Sequence, residues 1–427
     1  MFQSNICFII GEKTLHLFDQ LLANSPNLAE ISFKFISDEM FKLIASHCGS
    51  ALRIIEAMNI NLSSSEALIA VFKACPNIIA FRVHDEIQAS LPGDDIIFAA
   101  VQYCPGIEVL PTHLFKLSNL AMDALAGIHT LKEITLTRAF DYSLPTFECV
   151  LQSNPSLEAI DLQYKVTDEI LTGIGRHCHN LRCLEITDLY LYGMSIYGFE
   201  ALFTGCPLMQ ELTFDRPGRM SNASLRVLFQ SCPNLSTLDL RSPHYDLEDD
   251  TVPVLQTPYL SLTELDITRE AASASALRDI FTYCTNLREV ELYRCRDVSD
   301  ELLQALTHNC RSLEMLTIKR CKKLTLAGLL KAVTHCTSLT SFELDRMPIN
   351  DELLVQLSTY CLNLDELWIE RCHGPPAVTD AGILSVADKC KQLTCMFVMG
   401  CGLEVTPVIE SLNRGGIYQH IHFDIRD

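Results

Sequence analysis

CTNLREVELYRCRDVSDELLQALTHNC, residues 284–310, is followed at once by RSLEMLTIKRCKKLTLAGLLKAVTHC, residues 311–336, and the second stretch repeats the layout of the first. In the first, Glu289, Val290, Glu291, Leu292 and Tyr293 alternate, so that every second side chain falls on one face, the periodicity of a β-strand. The period then changes. In VSDELLQALTHNC, Ser299 stands at an N-cap, Asp300 and Glu301 suit the positive end of a helix, and Leu302, Leu303 and Leu306 form one apolar face. VTDEILTGIGRHC at 166–178, INDELLVQLSTYC at 349–361 and VTDAGILSVADKC at 378–390 have the same layout. One strand and one helix cannot bury their apolar faces alone, so neighbouring units must stack.

Aligned on L-x-x-L-x-L, the first anchors run from Leu28 through Leu157, Leu287 and Leu364 to Tyr418, 390 residues in 15 steps, a mean period of 26. Residues 1–427 therefore read as a single solenoid of about 16 repeats, weaker over 1–155 and strong over 155–401. Each strand reaches the next through a helix, so the strands should be parallel. The expected fold class is α/β: a right-handed solenoid, a horseshoe with a parallel β-sheet on its concave face and helices on its convex face. Steps of 29, 28 and 29 residues begin at Ile78, Leu181 and Leu364. Their extra residues, in HDEIQASLPGDD, DLYLYGMSIYG and CHGPPAVTD, should bulge from the loop edge, either as tolerated insertions or as a lip that touches a partner.

Of 19 cysteines, 15 are periodic: eleven precede a first anchor, as Cys284 and Cys310 do, and four (Cys295, Cys321, Cys372 and Cys401) follow the strand. No C-x-x-C occurs, so zinc-knuckle and thioredoxin readings lack their signature, and the periodic thiols read as core packing. The full pattern, C-P-x-L-x-x-L-x-L-x-x-C-x-x-[VI]-[ST]-D, resembles the cysteine-containing, RNI-like leucine-rich repeats of F-box/LRR proteins. The resemblance covers nearly the whole chain and is weaker before 155, where Ser25, His129 and Asn154 replace the leading cysteine. It implies a protein-interaction module that recognises substrates for an SCF-type ubiquitin ligase, with ligase subunits as partners and a cytoplasmic or nuclear location. In that family an F-box precedes the repeats. None is visible here, which leaves open a ligase-independent scaffold or regulatory adaptor.

The chain carries 33 basic and 53 acidic residues, a formal charge of −20. Binding to a phosphate backbone rests on Lys and Arg, so this balance points away from nucleic acid and toward a protein partner with a basic segment. No apolar run approaches the roughly 18 residues of a membrane span, and ICFII near the start is too short for a signal peptide. Neither a membrane nor self-association is expected. Phosphate-loop, H-E-x-x-H and G-x-S-x-G motifs are absent, and GIGRHC at 173–178 lacks a third glycine and falls on a predicted helix. The 13 histidines form no i, i+4 metal pair. The expectation is a protein with no catalytic residue, no metal and no cofactor.

The informative chemistry lies on the strand positions that point away from the core. In the seven units anchored from Met209 to Leu364, these give 21 residues, of which eleven are acidic: Glu211, Asp215, Asp239, Glu264, Asp266, Glu289, Glu291, Glu343, Asp345, Glu366 and Glu370. Only Arg241 and Lys319 are basic. Like charges stacked at the ~4.8 Å strand spacing repel, so stability alone would not select them. Tyr293, Met315, Trp368, Phe397 and Met399 interrupt the strip, and Trp368, the only tryptophan, is the residue type most often found at a binding hot spot. The candidate partner face therefore comprises Glu264, Asp266, Glu289, Glu291, Tyr293, Met315, Lys319, Glu343, Asp345, Glu366, Trp368, Glu370 and Phe397. One position further along, the same units read Arg216, Ser242, Arg269, Arg294, Arg320, Arg346 and Arg371. This column is open to two readings: a rim that neutralises the neighbouring acids, or an anion ladder for a polyanion such as an inositol phosphate.

Overall fold

The computed structural model describes residues 5–8, 15–84, 91–136, 143–163, 166–187, 194–215, 220–241, 252–269, 271–374, 376–401 and 422–426. The chain divides into two compact units, Met1–Gly193 with Tyr197–Met209, and Met194–Ile196 with Gln210–Asp427.

In the first unit, β1 (Asn5–Phe8), β2 (Glu30–Ser37), β3 (Ile54–Asn61) and β4 (Ala80–Val83) pair in chain order, all parallel. A two-residue pair, β5 (Leu91–Pro92) with β6 (Phe115–Lys116), follows, and then β7 (Glu133–Leu136), β8 (Ala159–Leu162) and β9 (Cys183–Thr187) resume the parallel ladder. Single bridges through Val109 to Ala80 and to Glu133 carry the ladder across the gap. The irregular stretch falls within the weaker repeats.

Among the described residues the second unit holds nine strands, parallel and paired in strict chain order: β10 (Glu211–Asp215), β11 (Thr237–Arg241), β12 (Glu264–Thr268), β13 (Glu289–Tyr293), β14 (Met315–Lys319), β15 (Ser341–Asp345), β16 (Glu366–Glu370), β17 (Cys395–Met399) and β18 (His422–Arg426). Ten-residue helices such as Asp300–Asn309 and Asp351–Tyr360 join successive strands, and their leucines face the sheet.

The first anchors from Leu28 to Leu393 are all at most 3% exposed, and Tyr418 lies outside the described residues. The leading cysteines are buried free thiols, and several hydrogen-bond to the preceding unit: Cys310 Sγ donates to the Cys284 carbonyl at 3.3 Å, and Cys206 to that of Cys178 at 3.4 Å. Burial pushes the thiols of Cys178 and Cys310 up to about 12, which keeps them protonated and unreactive. The asparagine of the C-x-N-L turn adds a second link, as when the Asn286 amide donates to the Leu260 carbonyl at 2.8 Å.

The helix starts differ in detail from a simple capping reading. Ser299 has the backbone of an N-cap, but its hydroxyl donates to Glu301 Oε2 at 2.6 Å rather than accepting from a helix amide. Asp300 does more than oppose the helix dipole. Its two oxygens accept the N–H and hydroxyl of Thr325 in the next unit at 2.9 and 2.5 Å, and Asp351 holds Thr379 in the same way at 2.7 and 2.6 Å. The [ST]-D pair is thus a rung between repeats.

Gly175 of GIGRHC also has a packing role. A Cβ on Gly175 would strike the Ala201 carbonyl, and one on Gly205 would strike Gly175, so two helices approach here by backbone contact. Of the three longer steps, residues 85–90 and 188–193 lie outside the described residues. In the third, His373 exchanges backbone hydrogen bonds with Met347 and Ile349, which lays the extra residues against the preceding unit.

Candidate functional site

Register turns the outward positions of the second unit into three columns. The first runs Thr237, Glu264, Glu289, Met315, Ser341, Glu366, Cys395. The middle one runs Asp239, Asp266, Glu291, Thr317, Glu343, Trp368, Phe397, and the third Arg241, Thr268, Tyr293, Lys319, Asp345, Glu370, Met399. All thirteen residues of the candidate partner face stand on this one open sheet face.

The acids there are not equivalent. Arg241 lies over Asp239, with Nε donating to Oδ1 at 3.0 Å. Lys319 Nζ sits 3.0 Å from Glu343 and 3.8 Å from Glu291. Arg320 Nε donates to Asp345 Oδ2 at 2.7 Å, and Arg371 lies 3.0 Å from Glu370. These cations cover the carboxylates so well that Asp239 is 8% and Asp345 5% exposed, although both point away from the core. Among the described residues, Glu264, Asp266 and Glu289 have no ion-pair partner. They receive only weak neutral contacts, from Thr237 Oγ1 to Glu264 at 3.1 Å and from Thr268 Oγ1 to Asp266 at 3.4 Å.

A shallow depression of ≈ 220 Å³ opens at this place, lined by Asp239, Glu264, Asp266, Glu289, Glu291 and Met315. Burial first, and then the neighbouring charges of Asp239 and Glu291, raise the Asp266 carboxyl to about 7. Burial and the Glu264 charge also raise Glu289, and burial raises Asp239 against the opposing pull of Arg241. The Arg241 charge offsets part of this at Asp266, but an external cation seated here would meet three carboxylates, Glu264, Asp266 and Glu289, that no cation among the described residues pairs with directly.

Four strands away the face changes character. The Trp368 and Phe397 rings lie 5.0 Å apart, tilted by 33°, and the indole Nε1 donates to Glu366 Oε2 at 3.4 Å. Trp368 is half-buried rather than fully exposed. Every outward position of β17 is uncharged: Cys395, Phe397 and Met399. Cys395 was legible only as the first outward position of the unit anchored at Leu393. Met315 is 39% exposed at the other end of this stretch.

The arginine column has an unforeseen backbone. Arg269, Arg294, Arg320, Arg346 and Arg371 all take positive φ, between 49° and 63°, and Gly400 holds the corresponding place with φ 63°. From that conformation each arginine N–H reaches the last strand carbonyl of the next unit, as Arg294 does to Lys319 at 2.7 Å and Arg346 to Glu370 at 2.8 Å. The guanidinium groups of Arg320, Arg346 and Arg371 pair with Asp345 or Glu370, and that of Arg294 lies 5.2 Å from the Tyr293 ring centre. Arg216 and Ser242 lie outside the described residues. Among the described residues no group of three or more His, Cys, Asp or Glu could hold a metal ion, and no helix is long and apolar enough to cross a membrane.

These stacked strand–helix units, with their buried anchors and open parallel sheet, define a leucine-rich-repeat solenoid. The repeats are similar to those of F-box/LRR proteins: several F-box and F-box/LRR-repeat proteins match the chain at 24–30% identity. F-box/LRR-repeat protein 4 of Bos taurus is 25% identical over 245 residues, 54% of this chain and 37% of its own length. The putative RNA-binding protein EEED8.10 of Caenorhabditis elegans is 28% identical over 140 residues, 32% of this chain and 19% of its own length. The chain thus spans well under half of either relative. No protein-family model matches it. Among solved structures, a chain of the mouse RP105/MD-1 complex superposes with a TM-score of 0.52 at 15% identity, covering 94% of this chain and 72% of that one, a likeness of fold.

Proposed function

We propose that the open face of the second unit binds a basic segment of a protein partner, and that the chain thereby selects substrates for an SCF-type ubiquitin ligase. The observation that carries the reading is the concentration of carboxylates without an ion-pair partner among the described residues, Glu264, Asp266 and Glu289, on the same sheet face as the Trp368–Phe397 pair. The acids steer the segment and the aromatic pair anchors it, a division of labour usual at protein interfaces. The F-box names of the relatives support the ligase half of the proposal. Ion pairs already engage three of the arginines, which favours the rim reading of that column over a polyanion site.

The test is affinity capture from cell extract, followed by mass spectrometry, with the wild-type chain and a variant carrying Glu264→Gln, Asp266→Asn and Glu289→Gln. Ligase adaptor and cullin subunits should appear in both captures, and substrates should be lost from the variant alone. Absence of both subunits from both captures would refute the ligase role, and partners lost from the variant would then define a scaffold.

A further inference from the structure

Building on that reading of the open face, we infer that the bound segment is extended and bipartite: an apolar side chain seats on Trp368 and Phe397, and a lysine or arginine about six residues away seats over Glu264, Asp266 and Glu289. The first station is the uncharged end of the face, where the two rings meet at 5.0 Å beside Cys395 and Met399. The second is the depression around Asp266, where burial and crowding disfavour carboxylates that lack a cation. The sign of its occupant follows from charge complementarity.

The middle of the segment is uncharged. Between the stations, Lys319 spans Glu343 and Glu291 and closes the acidic strip to further cations. Arg320 holds Asp345 there, and Met315, Thr317 and Ser341 carry no charge.

Strand spacing sets the separation. Asp266 on β12 and Trp368 on β16 are four strands apart, which at ~4.8 Å per strand is about 19 Å. An extended chain rising ~3.3 Å per residue covers that distance in about six residues, whereas a helix rising ~1.5 Å needs about thirteen.

Trp368 is the only tryptophan, so the intrinsic emission of the full chain reports directly on the first station. Three tryptophan-free peptides would be titrated, each with a leucine and an Arg-Lys pair separated by Gly/Ser linkers that place them about three, six or thirteen residues apart. The six-residue spacing should bind at least tenfold more tightly than the others and shift Trp368 emission to the blue. It should also lose at least tenfold in affinity on the double variant Asp266→Asn, Glu289→Gln, and again on Phe397→Ala. Tightest binding by the thirteen-residue peptide overturns the extended geometry. Equal affinity across the three, still weakened by either variant, overturns the spacing and leaves the open face as a binding surface. Affinities that ignore both variants overturn the spacing and the surface together.

Discussion

Replacing Asp266 by Asn should make the protein more stable at pH 8 and leave its stability unchanged near pH 4. In the fold the Asp266 carboxyl keeps its proton up to about 7, while in the unfolded chain it releases it near the usual 3.8. A group whose pKa is raised on folding contributes stability that is fully present below the unfolded value and is lost as pH rises through the folded one. The window is therefore about pH 4 to 7. In a site fully shielded from water, a difference of that size would be worth about 4 kcal/mol. The carboxyl lies on an open sheet face where water screens it, so the usable figure is ~1–2 kcal/mol. Asn keeps the shape and can still accept from Thr268 Oγ1, but it carries no charge to set against Asp239 and Glu291. Urea unfolding followed by Trp368 emission reads the unit that contains the site, which matters because a repeat array need not unfold in one step. Wild type and variant should converge at pH 4, and the variant should be more resistant to urea at pH 8. A variant destabilised at pH 8, or a gap independent of pH, would show that Asp266 is ionised and satisfied in the fold, and the account of an uncompensated acid would fail.

Other consequences are more local. Trp368→Ala should weaken partner binding by about 2 kcal/mol with the circular-dichroism spectrum unchanged, and unaltered affinity in a titration would remove Trp368 from the surface. Gly175→Ala should destabilise the first unit by ~1–3 kcal/mol in urea, because the new methyl meets the Ala201 carbonyl with no flexible side chain to give way. Thr325→Val keeps the shape but removes the hydroxyl that donates to Asp300, and a loss of ~1 kcal/mol in the same assay is expected.

The fold was legible because the quantities that determine it are periodic. Anchors such as Leu287 and cysteines such as Cys310 recur every 26 residues or so, and each occupies a buried place that permits few substitutes. The candidate face was legible as a set of columns for the same reason. Its energetics were not, because they depend on where long side chains fold back. Nothing in the strand pattern distinguishes Asp345, buried under Arg320, from Asp266, left without a cation. Ser299 and Asp300 stand where the capping reading puts them, but their side-chain partners were not legible, because that of Asp300 lies in the next unit and local capping rules treat each helix alone.

The arginine column joins two demands that pull against each other. Its backbone sits in the left-handed region, which costs an ordinary residue about 1 kcal/mol relative to glycine, and Gly400 shows the residue that the backbone alone would choose. Five arginines in that conformation must therefore be offset by what their side chains do, and the structure separates two cases. Arg320 holds Asp345, which is 5% exposed, whereas Arg294 only covers the Tyr293 ring from 5.2 Å. Glycine at 294 should be nearly neutral, because backbone relief of about 1 kcal/mol is balanced by the lost cation–π contact and the greater freedom of glycine in the unfolded chain. Glycine at 320 gains the same relief but leaves a buried carboxylate whose remaining ion-pair partner among the described residues is Arg346, 3.9 Å away, and should cost ~2 kcal/mol more. Arg294→Gly and Arg320→Gly compared in urea at pH 7 decide the matter. If the two lose equally, the column serves the backbone turn rather than the acids. If they differ as stated, the arginines compensate acids that the sheet face would otherwise be too repulsive to keep.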